Sequence, residues 1–262
     1  MVKALGLLKE YSEYVKMLQR NQNEDVHMSH FNNNIDQGNN LAGAVQGNQQ
    51  NVQMGEYFIT IQSIEGPSEM EHQIYETGAK IGKHSSNQIV IFDDSVSRFH
   101  ARILFSDQEF RLKDIGSQSG TFLKISEKLE LKVGMIIEIG GYQLEVRAIV
   151  IDPESTEGEG LMGNFVEFRV YESPAEENRE KVFKMGNRHS IGRKSTNQIH
   201  FNEDLHMSNL HCKVILIGQK FYLEDIASTN GSWLRLSKKG IESLPFALEQ
   251  GTIFKIGNSA MY

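Results

Sequence analysis

The hydrophobic positions fall into two regimes. From Glu56 onward, short runs alternate apolar and polar residues, as in EYFITIQSI, QIVIF, ARILF, EFRLKDI, MIIEIG and YQLEVRAIV. Gly, Asn, Asp and Ser separate them, and no helical periodicity of comparable strength intervenes. That spacing predicts an all-β fold of sandwich or barrel type. Before Glu56 the pattern differs. Leu8, Tyr11, Val15 and Leu18 recur at helical spacing and predict one amphipathic helix over residues 1–20. Too few basic residues line one face for a membrane anchor, so the helix is expected to pack on the rest of the chain or on a partner. Residues 21–54 are dominated by Asn, Gln and Gly, with too few apolar side chains to offset the entropy of ordering, and predict a disordered linker.

The β-rich part is written twice. IGKHSSNQIVIF, SVSRFHARIL, FRLKDIGSQSGTFL and VGMIIEIG in the first copy answer to IGRKSTNQIHF, LHMSNLHCKVIL, FYLEDIASTNGSWL and QGTIFKIG in the second. Gly82 and Asn87 precede Gly192 and Asn197 by 110 positions. Ser97, His100, Asp114 and Gly120 precede Ser208, His211, Asp225 and Gly231 by 111. An offset held over so many positions marks a tandem duplication. The expected domains are 55–150 and 164–262, joined by an acidic linker over 151–163. That linker holds Gly158, Gly160 and Gly163 in G-x-G-x-x-G spacing. Its acidity, and the lack of a helix opening from it, exclude a dinucleotide site. The second copy stops at Tyr262, opposite Glu145 of the first, so its last strand is expected to be short and to leave an open sheet edge.

Composition narrows the function. The chain of 262 residues carries a net charge of −7 and disfavours nucleic-acid backbones. A single cysteine, Cys212, excludes an intrachain disulfide and a multi-cysteine metal site. Neither a signal-peptide core nor a membrane span is recognisable, so a soluble intracellular protein is expected, in cytoplasm or nucleus, with a cytoskeletal or ciliary place also open. Neither a P-loop, an H-E-x-x-H motif nor a kinase catalytic set occurs, and no nucleophile–base pair is evident, so no enzyme, cofactor or metal is expected.

In the second copy, Arg193, Ser208 and Asn209, and Ser228 to Gly231 occupy three separate loops. Loops of a sandwich gather at its ends, so these residues can converge. An Arg fork with hydroxyls suits a phosphate, and Asn amides suit a peptide backbone.

The order of motifs, G-[R/K], S-x-x-H and D-x-x-S-x-x-G-[T/S], makes each copy resemble a forkhead-associated (FHA) domain. That resemblance implies tandem β-sandwiches of about eleven strands each that bind phosphothreonine peptides through loops at one end. It assigns Arg193 and Ser208 to phosphate, Thr229 to support of that pocket, and Asn209 and Asn230 to the bound peptide's backbone. It makes Gly192, Gly231 and His211 structural, with Gly82, Gly120 and His100 their first-copy counterparts. The first copy departs from the pattern. Lys83 stands for the Arg, Gln118 for the Thr and Ser119 for the Asn, while Ser97 and Arg98 are retained, so a weaker or lost site is expected there. Two functions follow. One is a non-enzymatic adaptor or scaffold for phosphothreonine-containing proteins, with the second copy as reader and the first as a packing or weak-binding module. The other is a constitutive structural subunit of a larger assembly, such as a cytoskeletal or ciliary one, whose contacts are independent of phosphate.

Overall fold

The computed structural model describes residues 57–63, 71–152 and 163–261. The expected N-terminal helix, the Asn/Gln-rich linker and residues 153–162 of the acidic linker lie outside the described residues. The first repeat supplies β1 (Phe58–Gln62), β2 (Glu71–Tyr75), β3 (Ala79–Gly82), β4 (Ile89–Val90), β5 (Ala101–Ser106), β6 (Glu109–Asp114), β7 (Thr121–Lys124), β8 (Leu129–Glu130), β9 (Ile136–Ile139) and β10 (Tyr142–Val150). The second supplies β11 (Phe165–Glu172), β12 (Val182–Met185), β13 (Ser190–Gly192), β14 (Ile199–His200), β15 (Cys212–Ile217), β16 (Lys220–Asp225), β17 (Ser232–Arg235), β18 (Phe246–Ala247), β19 (Phe254–Ile256) and β20 (Ser259–Met261). Among the described residues the helical content is one short 3-10 turn, Glu176–Asn178. The all-β architecture follows the alternation in the sequence. In β6, Phe110, Leu112 and Asp114 point inward, and in β15, Cys212, Val214 and Leu216 do so.

The strands do not divide between sheets as they divide between repeats. One eight-stranded sheet runs β12-β11-β10-β9-β17-β7-β19-β20, mixing both repeats. One five-stranded sheet, β14-β13-β15-β16-β8, takes its edge strand β8 from the first repeat. The other, β18-β6-β5-β3-β4, takes β18 from the second, and β1 and β2 form a separate pair. Each repeat therefore donates its C-terminal strands to the sandwich begun by the other. At the join β7 and β17 lie antiparallel, with Trp233 opposite Lys124, Leu234 opposite Leu123 and Arg235 opposite Phe122. Each also keeps an exchanged partner on its outer side, β17 against β9 and β7 against β19. The core records the exchange. Ile81, Ile103 and Leu112 of the first repeat share one buried cluster with Leu236, Phe254 and Ile256 of the second. In the other direction, Tyr142 of β10 stacks on Phe201 of the second repeat at 3.7 Å between ring centres.

Register gives the eight-stranded sheet two unlike faces. Leu123, Leu234, Ile137 and Phe254 share the apolar one, and Phe122, Lys124, Trp233 and Arg235 share the other. On that second face charges are partnered across the repeats. Arg169 and Lys238 of the second repeat reach the buried Glu145 of β10 at 2.5 and 3.0 Å. Burial pushes the Glu145 carboxyl up, but these two cations outweigh it and hold it below its ordinary range. Arg235 is fully buried. Its guanidinium donates to the Ser237 carbonyl (2.8 Å), Gln143 Oε1 (2.7 Å) and the Gln118 carbonyl (3.3 Å), and lies 3.6 Å from Glu172. Arg235→Ala leaves buried acceptors of both repeats without donors and opens a cavity. The expected loss is about 3 kcal/mol of stability, read as a lower urea midpoint. An unchanged midpoint would count against this role at the join.

The last strand of the second repeat is short. β20 spans three residues and forms one edge of the eight-stranded sheet, whereas β10 spans nine and carries β11.

Candidate functional site

The three loops of the second repeat meet through hydrogen bonds. β13 ends at Gly192, and a Cβ there would sit 2.5 Å from the Asn209 carbonyl oxygen, so the close approach of the two loops requires glycine. That approach lets the Arg193 N–H donate to the Ser208 carbonyl at 2.9 Å. Asn197 ties the same loops from behind, its amide donating to the carbonyls of Lys194 and Asn209, each at 2.7 Å. The third loop comes in over Ser208. Its Oγ accepts the Thr229 N–H at 3.1 Å and lies 3.5 Å from Thr229 Oγ1. Asp225 shapes this loop, accepting from Ser228 and from the Ser232 hydroxyl. The Asn230 amide donates to the His206 carbonyl at 2.8 Å. Arg193 and Ser208 are half-buried, and Asn209, Thr229 and Asn230 are exposed. The Arg193 guanidinium touches the Asn209 side-chain oxygen at 3.5 Å, a neutral partner. The five residues thus form one open surface with one guanidinium, two hydroxyls and two amides, suited to an oxyanion carried on an extended chain.

His211 lies beneath it. The Ser208 N–H donates to His211 Nδ1 at 3.2 Å, and Nε2 is 3.1 Å from the Gly231 carbonyl. Both contacts are met by the neutral tautomer protonated at Nε2. The ring braces the Ser208 loop against the Asn230 loop and is wholly buried. His100 does the same in the first repeat, between the Ser97 N–H (3.1 Å) and the Gly120 carbonyl (2.9 Å). Burial lowers the pKa of both imidazoles, opposed by those carbonyls and by Asp225 and Asp114. The unfolded chain therefore binds protons first as pH falls through the ordinary value of 6.5. Stability should be intact above that pH and decline below it, until the folded imidazoles protonate too. Urea midpoints between about pH 7 and pH 5 test this, and a midpoint that rises on acidification would overturn it.

A family model for the FHA domain matches residues 79–140 and 189–257, together half of the chain. The chain belongs to the FHA-domain family. Proteins named FHA domain-containing protein FhaB, from Mycobacterium tuberculosis and Mycolicibacterium smegmatis, are each 31% identical to it over 70 residues, 26% of this chain. The chain matches 45% of the length of these relatives. No solved structure matches it significantly. FHA domains are phosphothreonine-binding modules of protein–protein interaction rather than enzymes. Among the described residues there is no cluster of side chains able to hold a metal ion, and no helix is long and apolar enough to cross a membrane.

The first FHA repeat arranges its loops alike but uses them differently. Ser97 Oγ accepts the Gln118 N–H at 3.3 Å, as Ser208 does from Thr229. Lys83 is not free, because its ammonium pairs with Asp94 at 3.2 Å. The position corresponding to Asp94 in the second repeat is Leu205, which is 80% exposed, so no carboxylate occupies that place beside Arg193. The Ser119 hydroxyl donates to the Ser95 carbonyl, the counterpart of the bond from Asn230 to His206. Arg98 is exposed.

Sequence reasoning passed over the residues that the exchange brings to each site. The Gly141 N–H of the first repeat donates to Asp204 of the second repeat at 2.7 Å. Asn258 N–H of the second donates to Ser95 of the first at 3.0 Å. Nothing in a linear repeat signals such contacts.

Proposed function

We propose that the protein is a non-enzymatic phosphothreonine-peptide adaptor whose second FHA repeat is the reader. Arg193 and Ser208 take the phosphate, Thr229 supports the pocket, and Asn209 and Asn230 hold the peptide backbone. The observation that carries this reading is the Arg193 guanidinium, half-buried among hydroxyls and amides, with a neutral side-chain contact and a leucine where the first repeat has a carboxylate. The first repeat serves as a packing partner, or as a weak site, because Lys83 pairs with Asp94 and Ser119 lacks the amide that Asn230 offers a peptide backbone. Partners are phosphothreonine-containing proteins inside the cell, and nucleic acid is disfavoured by the net charge of −7. One observation favours the second reading, a phosphate-independent structural subunit: the continuous eight-stranded sheet joins the two repeats into one block.

Titration of the protein with matched phosphothreonine, phosphoserine and unphosphorylated peptide libraries separates the two. Micromolar binding confined to the phosphothreonine set supports the reader. Absence of phosphate-dependent binding would sink it and leave the structural subunit.

A further inference from the structure

The strand exchange brings a basic residue of each repeat against the S-x-x-G loop of the other. We propose that Lys124, from the first repeat, is part of the ligand surface of the second and selects peptides with an acidic side chain near the phosphothreonine. This rests on the phosphothreonine reading of that pocket.

Lys124 ends β7, directly opposite Trp233 of β17. Directly opposed residues share a sheet face, so its side chain rises beside the indole. The indole N–H donates to the Asn230 carbonyl at 2.9 Å, which ties that face to the pocket loop. Lys124 Cε lies 3.2 Å from where a Cβ of Gly231 would stand, so its stem runs along the backbone next to Asn230. Gly231 has φ +74°, which keeps this approach open. Lys124 is exposed, and its ammonium enters no hydrogen bond or ion pair among the described residues.

The counterpart 111 residues later is Arg235, packed against Gly120 in the same way. The two have opposite fates. The Arg235 side chain is fully buried and committed to Gln118, Ser237, Gln143 and Glu172. Lys124 has a cation in solvent, on a flexible four-carbon stem, beside an amide expected to hold a peptide. A charge so placed meets side chains next to the phosphothreonine rather than the phosphate oxygens, for which Arg193 and Ser208 are the nearest groups. Its contribution is that of an exposed ion pair, a few-fold in affinity, and is therefore seen as selectivity more than as binding.

The test uses two phosphothreonine peptide libraries that differ only in whether the flanking positions carry Asp and Glu or Asn and Gln. The wild-type protein is expected to prefer the acidic set by about three- to fivefold, less at high salt. Lys124→Gln removes the preference and Lys124→Glu reverses it, each weakening the acidic set more than the neutral one, and the exposed site keeps both variants folded. Equal losses on both sets, or an unaltered preference, overturn the proposal while leaving the pocket reading intact. Arg193→Ala losing both sets upholds the pocket independently. No phosphate-dependent binding by the wild type overturns the pocket reading itself and Lys124 with it.

Discussion

Arg193→Ala is expected to lower phosphothreonine-peptide affinity by roughly 30-fold or more, whereas Lys83→Ala should leave it within about twofold. A phosphothreonine carries about −1.5 to −2 charges near neutral pH. A guanidinium meets two of its oxygens at once, and removing a half-desolvated partner of this kind costs about 2–5 kcal/mol of binding. Besides Lys83 for Arg193, Gln118 for Thr229 and Ser119 for Asn230, one further difference adds to the asymmetry between the repeats. Asp94 already compensates Lys83 at 3.2 Å, so an incoming phosphate would have to displace a carboxylate and would then repel it. In the second repeat that place is Leu205, and the Arg193 guanidinium meets the neutral Asn209 side chain instead. Arg193→Lys should fall between wild type and Arg193→Ala, since charge survives and the fork does not. Calorimetric titration with one phosphothreonine peptide measures all of these. Equal losses from Lys83→Ala and Arg193→Ala would show two comparable sites and end the division of labour.

Much of the site's skeleton was legible because its residues are constrained locally. Gly192 has to be glycine where two loops touch, and His211 has to be three residues beyond Ser208 to receive its N–H. Such contacts recur at fixed offsets and show in a sequence written twice. The partition of strands was not legible. Period-two alternation specifies which face of a strand is buried but not which neighbour covers it. Phe254 satisfies the same pattern whether it pairs with a strand of its own repeat or, as here, with Leu123 of the other. The same ambiguity hid the roles of Lys124 and Arg235. In a linear reading both are polar residues ending a strand. Only the pairing of β7 with β17 shows that Arg235 is buried at the join and that Lys124 lies exposed beside Gly231. The pairing of Lys83 with Asp94 escaped for another reason, since they lie eleven positions apart with β4 and its flanking loops between them, and that spacing fixes no distance.

Cutting the chain between residues 152 and 163 is expected to leave both halves bound to each other. After cleavage at a protease site placed in that linker, the two fragments should elute together in gel filtration and unfold in one transition. Parting them means breaking β9 and β7 from β17, β19 from β7, β10 from β11, β8 from β16 and β18 from β6. It also strips Phe254, Ile256 and Leu236 from the first repeat's core and Tyr142 from its stack on Phe201. Loss of one large buried side chain alone costs about 3–5 kcal/mol, so the summed penalty far exceeds the stability of an ordinary domain. Two sandwiches each closed within its own repeat would behave differently, since cleavage would leave two compact bodies that separate by size without denaturant. The same result bears on the ligand surface. Gly141 donates to Asp204 and Lys124 flanks Gly231, so the first repeat supplies neighbours to the loops of the second repeat's proposed pocket. The nicked complex should therefore bind phosphothreonine peptide as the intact chain does. The second-repeat fragment, recovered alone after denaturation, should show weaker binding without the acidic preference, and restoring the first-repeat fragment by joint refolding should bring both back.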